Sequence, residues 1–340
     1  MASAQVSNVH CVYFYVGEKI RVGNTFYFDW EVQLMQFLQE NMGQFGVALA
    51  SFFTYFGEDL AILAVILIVY LGIDKEKGRI IGLTVITAVT LNPMIKNVFN
   101  RRRPYFDHAE ISCLRPVASG ADVMDVAAQG FSFPSAHSMC SAALYGTLAM
   151  QFKKRWLTIV CIVLPLLVGL SRVCLGVHYP TDVLVGWICG VLLMLLLPVL
   201  YRKVKRKWLL YLIMFILGCS GFFYCNTADY YTGIGIMGGF FLADLFECRF
   251  VKFEDNHHPV AIILRLVSSI GGYLLLDFLL KLPFSYEFLH DGSMASFLVR
   301  FGRYFLVVFV LLAFLPMLYK PIEHKFGFVK APKTKKSENK

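Results

Sequence analysis

Charged residues are scarce in this chain. They make up 16% of its 340 residues, while hydrophobic residues make up 57%; soluble globular proteins are roughly 25% charged. The nine cysteines include no Cys-x-x-Cys pair, which gives no indication of a zinc or redox motif of that kind. Residues 1–23 lack the basic start and apolar core of a cleaved signal peptide. The composition therefore predicts an integral membrane protein.

Apolar runs then define the predicted spans, since a helix needs about 20 apolar residues to cross the hydrocarbon core. Nine segments qualify, and they predict an all-α, polytopic transmembrane bundle: 57–73, 80–99, 135–152, 156–175, 180–200, 208–225, 231–247, 258–281 and 298–319. The seventh is short and rich in glycine. Residues 29–42 mix apolar and polar side chains at helical spacing, which favours a helix lying in the membrane interface.

Basic residues predict the orientation. The formal net charge is +9, and we interpret it as a topology signal rather than as nucleic-acid binding. If the first span ends inside the cell, the inner loops and the tail hold 20 of the 32 Lys and Arg residues. The amino terminus is then outside and the carboxyl terminus is cytoplasmic. The end of the tail, "APKTKKSENK" at residues 331–340, is predicted to be solvated and disordered.

Three polar clusters fall on the predicted outer face. The first is "KNVFNRRRP", from Lys96 to Pro104. Basic side chains near a span end often anchor the helix by snorkelling to the interface. However, three arginines on the outer side oppose the orientation bias, and a bound anion would compensate for them.

The second cluster is "FPSAHS", residues 133–138, where Pro134 and Ser135 resemble a helix start and His137 follows in the first turn. Such a start offers N–H donors and partial positive charge to a phosphate. The alternative is a plain helix cap beside a histidine with no role.

The third cluster is "SRVCLGVHYPTD", residues 171–182. Asp182 can accept a hydrogen bond from one nitrogen of His178 and leave the other nitrogen free to attack. An Arg172–Asp182 pair that joins two helix ends is the structural alternative, but it leaves His178 without a role.

Together these clusters resemble the type 2 phosphatidic acid phosphatase superfamily, which includes lipid phosphate phosphatases, polyprenyl-pyrophosphate phosphatases and glucose-6-phosphatases. The resemblance covers about residues 57–200. It lies in Lys-x6-Arg-Pro, then Pro-Ser-x-His, then Ser-Arg-x5-His-x3-Asp. One departure is visible, because Ala136 stands where the family usually has glycine. A helix start tolerates the extra methyl group.

The resemblance implies a role for each matched residue. His178 would be the nucleophile that forms a phosphohistidine, Asp182 would orient it, and His137 would act as general acid and then as general base. The phosphate would be held by five residues: Lys96, Arg103, Ser135, Ala136 and Arg172. No metal and no cofactor are implied, because fixed cations can stabilise the transferred phosphoryl group. The nearest candidate metal ligands are interpreted as solvated loop residues: Asp107, His108 and Glu110 in an outer loop, and Asp255, His257 and His258 in an inner loop. Arg101 and Arg102 are surplus to the motif and are expected to face solvent or anionic headgroups.

The predicted domains are an amino-terminal segment (1–56) with the interfacial helix, a catalytic membrane core (57–207), additional helices (208–320) and the basic tail (321–340). The leading hypothesis is a metal-independent phosphatase of a lipid phosphate, with its site on the extracytoplasmic face. Hydrolysis of a sugar phosphate or of a polyprenyl pyrophosphate is the alternative activity. A transporter or flippase that only binds a phosphate-bearing lipid is the alternative of another class. The predicted partners are the substrate and membrane lipids, with a homodimer left open and no nucleic acid.

Overall fold

The computed structural model describes residues 23–118 and 120–326. Among these residues it contains helices and one isolated bridge between Asn24 and Arg101, but no strand. The all-α prediction is therefore confirmed for the described residues. Residues 1–22, to which most of the signal-peptide argument refers, and most of the predicted tail lie outside them.

The first eight helices run through the region that carries the three clusters. Their bounds are α1 (Asp29–Thr54), α2 (Asp59–Ile68), α3 (Lys75–Phe99), α4 (Pro104–Asp107), α5 (Val126–Gln129), α6 (Ala136–Phe152), α7 (Arg155–Cys174) and α8 (Pro180–Lys203). Six more follow: α9 (Lys207–Cys219), α10 (Ala228–Phe246), α11 (Pro259–Lys281), α12 (Tyr286–His290), α13 (Met294–Ala313) and α14 (Leu315–Lys325).

Each of the nine predicted spans overlaps at least one helix, but fewer helices are long and apolar enough to cross a membrane alone. Within the described ranges, five candidates meet both criteria: α3, α7, α8, α11 and the α13–α14 segment. A sixth is a bent pair in which α1 and α2 meet at 48°. The structure thus supports several membrane-spanning helices, and the count of nine stays a prediction.

The predicted interfacial helix forms part of a longer element. α1 runs to Thr54 and is interrupted at Gly43, whose φ of 57° lies outside the helical region. One of its charged residues does not face solvent as the sequence pattern suggests. Glu31 is completely buried, whereas Trp30 and Phe37 are exposed. Other polar residues of α1, such as Gln33 and Glu40, are exposed, so the outer surface of the helix carries both polar and aromatic side chains.

Two apolar clusters form the interior and share α3. One lies between α3, α6, α7 and α8 and includes Ile81 and Met139. The other joins the opposite face of α3 to α8, α9, α10 and α13 and includes Leu83 and Tyr230. By contrast, α7, α8 and α11 carry many exposed leucine, isoleucine and valine side chains. Because exposed apolar surface on this scale is unfavourable in water, these faces fit contact with lipid.

Close packing of α6 on α8 positions the start of both helices. A Cβ added to Gly186 would lie 2.7 Å from the carbonyl oxygen of Ser135, a distance that side chains do not adopt. Only glycine lets the backbones approach this closely. As a result the Ser135 N–H reaches the Asp182 carbonyl at 3.0 Å.

Ion pairs outside the three clusters join separate helices of the bundle. Asp244 and Glu247 pair with Arg79 of α3, rather than with the nearby Arg249 or Lys252. Arg265 and Asp277, which lie on the same helix, do not pair with each other. Their partners are instead Glu323 at 2.7 Å for Arg265 and Arg303 at 2.9 Å for Asp277.

Candidate active site

The three clusters converge at one end of the helical bundle. α3 and α7 end there, whereas α6 and α8 begin there. The backbone contact between Ser135 and Asp182 ties the second cluster to the third. A hydrogen-bonding contact between Arg103 and His178 ties the first cluster to the third. All eight residues that the sequence singled out therefore lie at the same end.

His178 lies between a carboxylate and a guanidinium group. Its Nδ1 is 3.3 Å from Asp182 Oδ2, and its Nε2 is 3.3 Å from Arg103 Nη1. An arginine nitrogen can only donate, so Nε2 must present its lone pair and Nδ1 must carry the proton. This is the tautomer in which Nε2 can attack an electrophile while Asp182 holds Nδ1–H.

The surroundings of His178 keep its imidazole neutral. Burial lowers its pKa well below the ordinary value, and the nearby cations Arg103, Arg172 and Lys96 lower it further. A neutral imidazole is required for nucleophilic attack. The same environment that removes water from the ring therefore preserves its lone pair.

The cations around His178 are buried, with exposures of 8% for Lys96, 2% for Arg103 and 3% for Arg172. Arg103 is fixed by the carbonyls of Gln129 and Val177, each 2.9 Å from a guanidinium nitrogen. Arg172 Nη1 donates to Thr54 Oγ1 at 2.7 Å.

Donor capacity remains unused among these cations. Arg172 Nε is buried without a hydrogen-bond partner in the part of the chain that the structure describes. Burying a charge without a partner is costly. An excess of buried cations with free donors is therefore the arrangement expected of an anion site, and arginine geometry suits phosphate.

Ser135 caps α6, as the sequence predicts. Its Oγ accepts a hydrogen bond from the Ser138 N–H at 3.4 Å. The helix then begins with Ala136 and His137, so N–H groups of its first turn can bind an anion. His137 packs against Gly57, where an added Cβ would lie 3.2 Å from the imidazole Cδ2, and His178 is among the groups whose charge acts on it.

Arg101 corrects one expectation from the sequence. We expected it to face solvent or headgroups, but its side chain is 1% exposed and pairs with Asp182 and Glu31. Its guanidinium carbon also lies 3.9 Å from the centre of the Tyr179 ring. Arg102 is half-buried and pairs with Asp107 at 3.4 Å. The three consecutive arginines therefore have three different partners, Asp182 for Arg101, Asp107 for Arg102 and His178 for Arg103. The sequence alone does not predict these partners.

Sequence reasoning missed three residues that contact the site: Glu31, Thr54 and Thr181. Glu31 bonds to Arg101 and Thr181, and Thr54 holds Arg172. The position of Glu31 among apolar residues of α1 could have indicated a buried carboxylate. Its partners, however, are 70 and 150 residues away along the chain.

Potential metal ligands are separate from these clusters. In the described ranges, one group of three is close enough to share an ion, namely Asp244, Glu247 and Cys248. Both carboxylates already pair with Arg79. Among the loop residues considered from the sequence, Glu110 is exposed, but His108 is buried and packs against Tyr27, with ring centres 4.4 Å apart. The expectation that His108 is solvated is therefore wrong.

Comparisons with known proteins agree with the motif. The PAP2 superfamily model matches residues 77–206, and a model described as a PAP2 superfamily phosphatase transmembrane extension matches residues 231–325. Phosphatidylglycerophosphatase B of Bacillus subtilis (strain 168) is 32% identical over 45% of this chain and 74% of its own length. Undecaprenyl-diphosphatase BcrC of the same organism is 32% identical over 33% of this chain and 51% of its own length.

A third relative, the lipid A 4'-phosphatase of Bacteroides thetaiotaomicron, is 32% identical over 29% of this chain and 42% of its own length. Among solved structures, a transmembrane PAP2-type phosphatidylglycerolphosphate phosphatase from Bacillus subtilis matches with 27% identity and a TM-score of 0.41. That match covers 52% of this chain and 87% of the other.

Proposed function

The chain belongs to the PAP2 superfamily of membrane phosphatases, and from this premise we propose that it removes phosphate from a lipid phosphate through a phosphohistidine on His178. The observation that carries this proposal is the placement of His178. Its Nε2 contacts Arg103 and its Nδ1 contacts Asp182. The carboxylate thus orients a lone pair toward the cations that would hold the phosphate.

In the first step, His178 Nε2 attacks phosphorus and the bond to the leaving oxygen breaks. His137 gives its proton to that oxygen, so the leaving group departs as an alcohol. The negative charge on the equatorial oxygens is stabilised by Lys96, Arg103 and Arg172, because phosphoryl transfer depends mainly on positioning and on charge stabilisation.

In the second step, neutral His137 takes a proton from water and the water oxygen attacks phosphorus. The N–P bond breaks, its electron pair returns to His178 Nε2, and inorganic phosphate leaves. Both histidines return to their starting protonation states. The fixed cations perform the electrostatic role that a metal ion has in other phosphatases, so the reaction proceeds without one.

A lipid phosphate is the substrate class that the relatives' names favour. They act on a phosphatidylglycerophosphate, on undecaprenyl diphosphate and on lipid A. The site also lies where several apolar helices end, so a lipid tail could stay among them. A polyprenyl diphosphate is the second candidate, because a matched relative is named for it. Both substrates present a terminal phosphate on an apolar chain.

We also propose nine spans, with the site on the extracytoplasmic face and the carboxyl terminus in the cytoplasm. Support comes from the basic loops 74–79, 153–155 and 202–207, which lie at the bundle end opposite to the catalytic clusters. Labelling of single introduced cysteines in sealed cells tests this orientation. A cysteine at position 120, which is exposed, should react with an impermeant reagent from outside, and one at 205 should not.

Phosphate release by detergent-purified protein tests the activity. The substrates are phosphatidylglycerophosphate, phosphatidic acid, undecaprenyl diphosphate and glucose 6-phosphate, each with and without EDTA. We expect turnover of lipid phosphates that EDTA does not abolish. His178→Ala should abolish it, whereas His290→Ala, an exposed histidine on α12, should not. Binding without turnover by wild-type protein would instead support the transporter hypothesis.

A further inference from the structure

Both carboxylate oxygens of Glu31 accept hydrogen bonds close to the catalytic residues. Its Oε2 accepts hydrogen bonds from the Phe28 N–H at 3.0 Å and from Arg101 Nη2 at 2.9 Å. Its Oε1 accepts from the Thr181 N–H at 2.9 Å and from Thr181 Oγ1 at 2.6 Å. Glu31 lies on α1, outside the matched range 77–206. Four donors from three parts of the chain therefore fix one carboxylate.

Arg101 connects this carboxylate to the aspartate beside the nucleophile. Its Nη1 donates to Asp182 Oδ1 at 2.6 Å and to Thr181 Oγ1 at 2.7 Å. The guanidinium group also lies over the ring of Tyr179, and the Tyr179 N–H donates to Asp182 Oδ2 at 2.8 Å. A continuous path thus runs from Glu31 through Arg101 and Asp182 to His178, and each of its members is at most 2% exposed.

The charges along this path determine what Glu31 contributes. The formal charges of Asp182 and Arg101 alone would sum to zero, so the nucleophile His178 would have a neutral ion pair behind it. Glu31 adds a second carboxylate and gives the three groups a net charge of −1. When His178 Nε2 bonds to phosphorus while Nδ1 keeps its proton, the ring becomes cationic. A net negative charge behind the ring stabilises that cation, and burial limits the screening.

We propose that Glu31 is a positioning residue for the phosphoryl transfer: acting through Arg101, it fixes Asp182 and supplies the net negative charge that balances the phosphorylated imidazole of His178. The inference rests on the proposed phosphohistidine function. It assigns a role to α1, which carries no part of the motif. Fold stability alone is a poor explanation, because burying three charges is often no better for stability than apolar packing.

The test variant is Glu31→Gln, which removes the charge at nearly constant volume. We expect kcat on phosphatidic acid to fall by about ten- to hundredfold, which corresponds to an activation free energy higher by about 1.4–2.8 kcal/mol. KM should change little, because the phosphate-holding cations are untouched. The matched control is Glu40→Gln, since Glu40 is an exposed residue of the same helix that bonds to Gln36 and should leave both constants unchanged.

A pH profile separates this role from a purely structural one. Removing a negative charge lowers the pKa of the His178 imidazolium, so the acid limb of kcat/KM should move to lower pH in Glu31→Gln. The groups that act on His178 from the surrounding elements are unchanged in this variant: Lys96 of α3, Arg103 of the loop after α3, His137 of α6, Arg172 of α7 and Asp182 of α8. A merely less stable enzyme would lose rate without moving the limb.

Arg101→Lys is the second variant, and it serves if Glu31→Gln does not fold. It keeps the charge but loses the fork that contacts both carboxylates. We expect kcat to fall about tenfold or more, with the acid limb unmoved. A folded Glu31→Gln with wild-type kcat, a slow Glu31→Gln with an unmoved limb, or an Arg101→Lys with wild-type kcat would each overturn the proposal.

Trapping of radiolabelled phosphoenzyme in the same preparations distinguishes failure of the proposed phosphatase function from failure of the role assigned to Glu31. If wild-type protein forms no phosphohistidine, the proposed function fails. If wild-type protein forms it and Glu31→Gln forms it at the wild-type rate, only the role of Glu31 is refuted.

Discussion

Replacing Asp182 by asparagine is the perturbation whose effect follows most directly from the geometry. Asp182 accepts hydrogen bonds on both oxygens: Arg101 Nη1 donates to Oδ1 at 2.6 Å, and the Tyr179 N–H and His178 Nδ1 reach Oδ2 at 2.8 Å and 3.3 Å. An asparagine offers one oxygen and one NH2 group. In either orientation the NH2 group must point at a donor.

Both orientations of the amide therefore damage the site. If NH2 faces Arg101, two donors meet and the counter-charge is lost. If NH2 faces His178, the ring must accept on Nδ1, so its proton moves to Nε2 and the attacking lone pair disappears. Hydrogen bonds to charged groups contribute about 1.5–3 kcal/mol each, so losing two removes about 3–6 kcal/mol.

That loss corresponds to a decrease in kcat of roughly 10²–10⁴-fold at about 1.4 kcal/mol per factor of ten. The assay is steady-state phosphate release together with the rate of phosphoenzyme formation. Asp277→Asn is the matched control, because Asp277 is ion-paired on α11 of the second half of the chain and should keep wild-type kcat. A folded Asp182→Asn enzyme within tenfold of wild type would refute the assigned orientation of His178.

Three further predictions concern Arg172, His178 and Arg79. Arg172→Lys should lower kcat/KM by roughly ten- to hundredfold, because the guanidinium donors are lost. Phosphate release is measured beside the control Arg155→Lys, which lies at the exposed end of α7. Equal kcat/KM values for the two variants would contradict the phosphate-binding role of Arg172. Burial and nearby cations lower the pKa of His178 below its ordinary value of 6.5. Because the protonated imidazole cannot attack, kcat/KM should fall on the acid side with a midpoint below pH 6.5. A midpoint above pH 6.5 would contradict a neutral His178 in the resting enzyme. Arg79→Met leaves the buried carboxylate of Asp244 without a counter-ion, while Lys75 stays paired with Glu247. It should cost about 3–5 kcal/mol of stability, measured by unfolding in detergent against exposed Arg249→Met, and an unchanged midpoint would contradict the pairing.

The sequence could predict what depends on local pattern. Apolar runs located helices at all nine predicted positions, and the Pro-Ser start of "FPSAHS" predicted the cap that Ser135 makes on α6. The order of the three motifs predicted that Lys96 and His178 would lie at one end of the bundle, because the direction of each helix alternates along the chain.

Partners far apart in the sequence could not be predicted in this way. Arg101 reads as a surface cation because its neighbours are arginines, and only folding brings it to Asp182, 81 residues away. Glu31 lies in a segment whose mixed polarity indicates an interfacial helix. That mixture does not show which of the polar residues is buried, and in the structure Glu31 is buried while Glu40 is exposed. Burial of His108 was missed for the same reason, since Tyr27 covers it from a distant segment.

The most direct measurement is the location of the covalent phosphate. Wild-type enzyme is quenched during turnover of a radiolabelled lipid phosphate, and the label is assigned by peptide mapping under conditions that preserve phosphohistidine. The account predicts an acid-labile label on residue 178 that is absent from His178→Ala. A label on another residue, or undiminished labelling and turnover in His178→Ala, would contradict it.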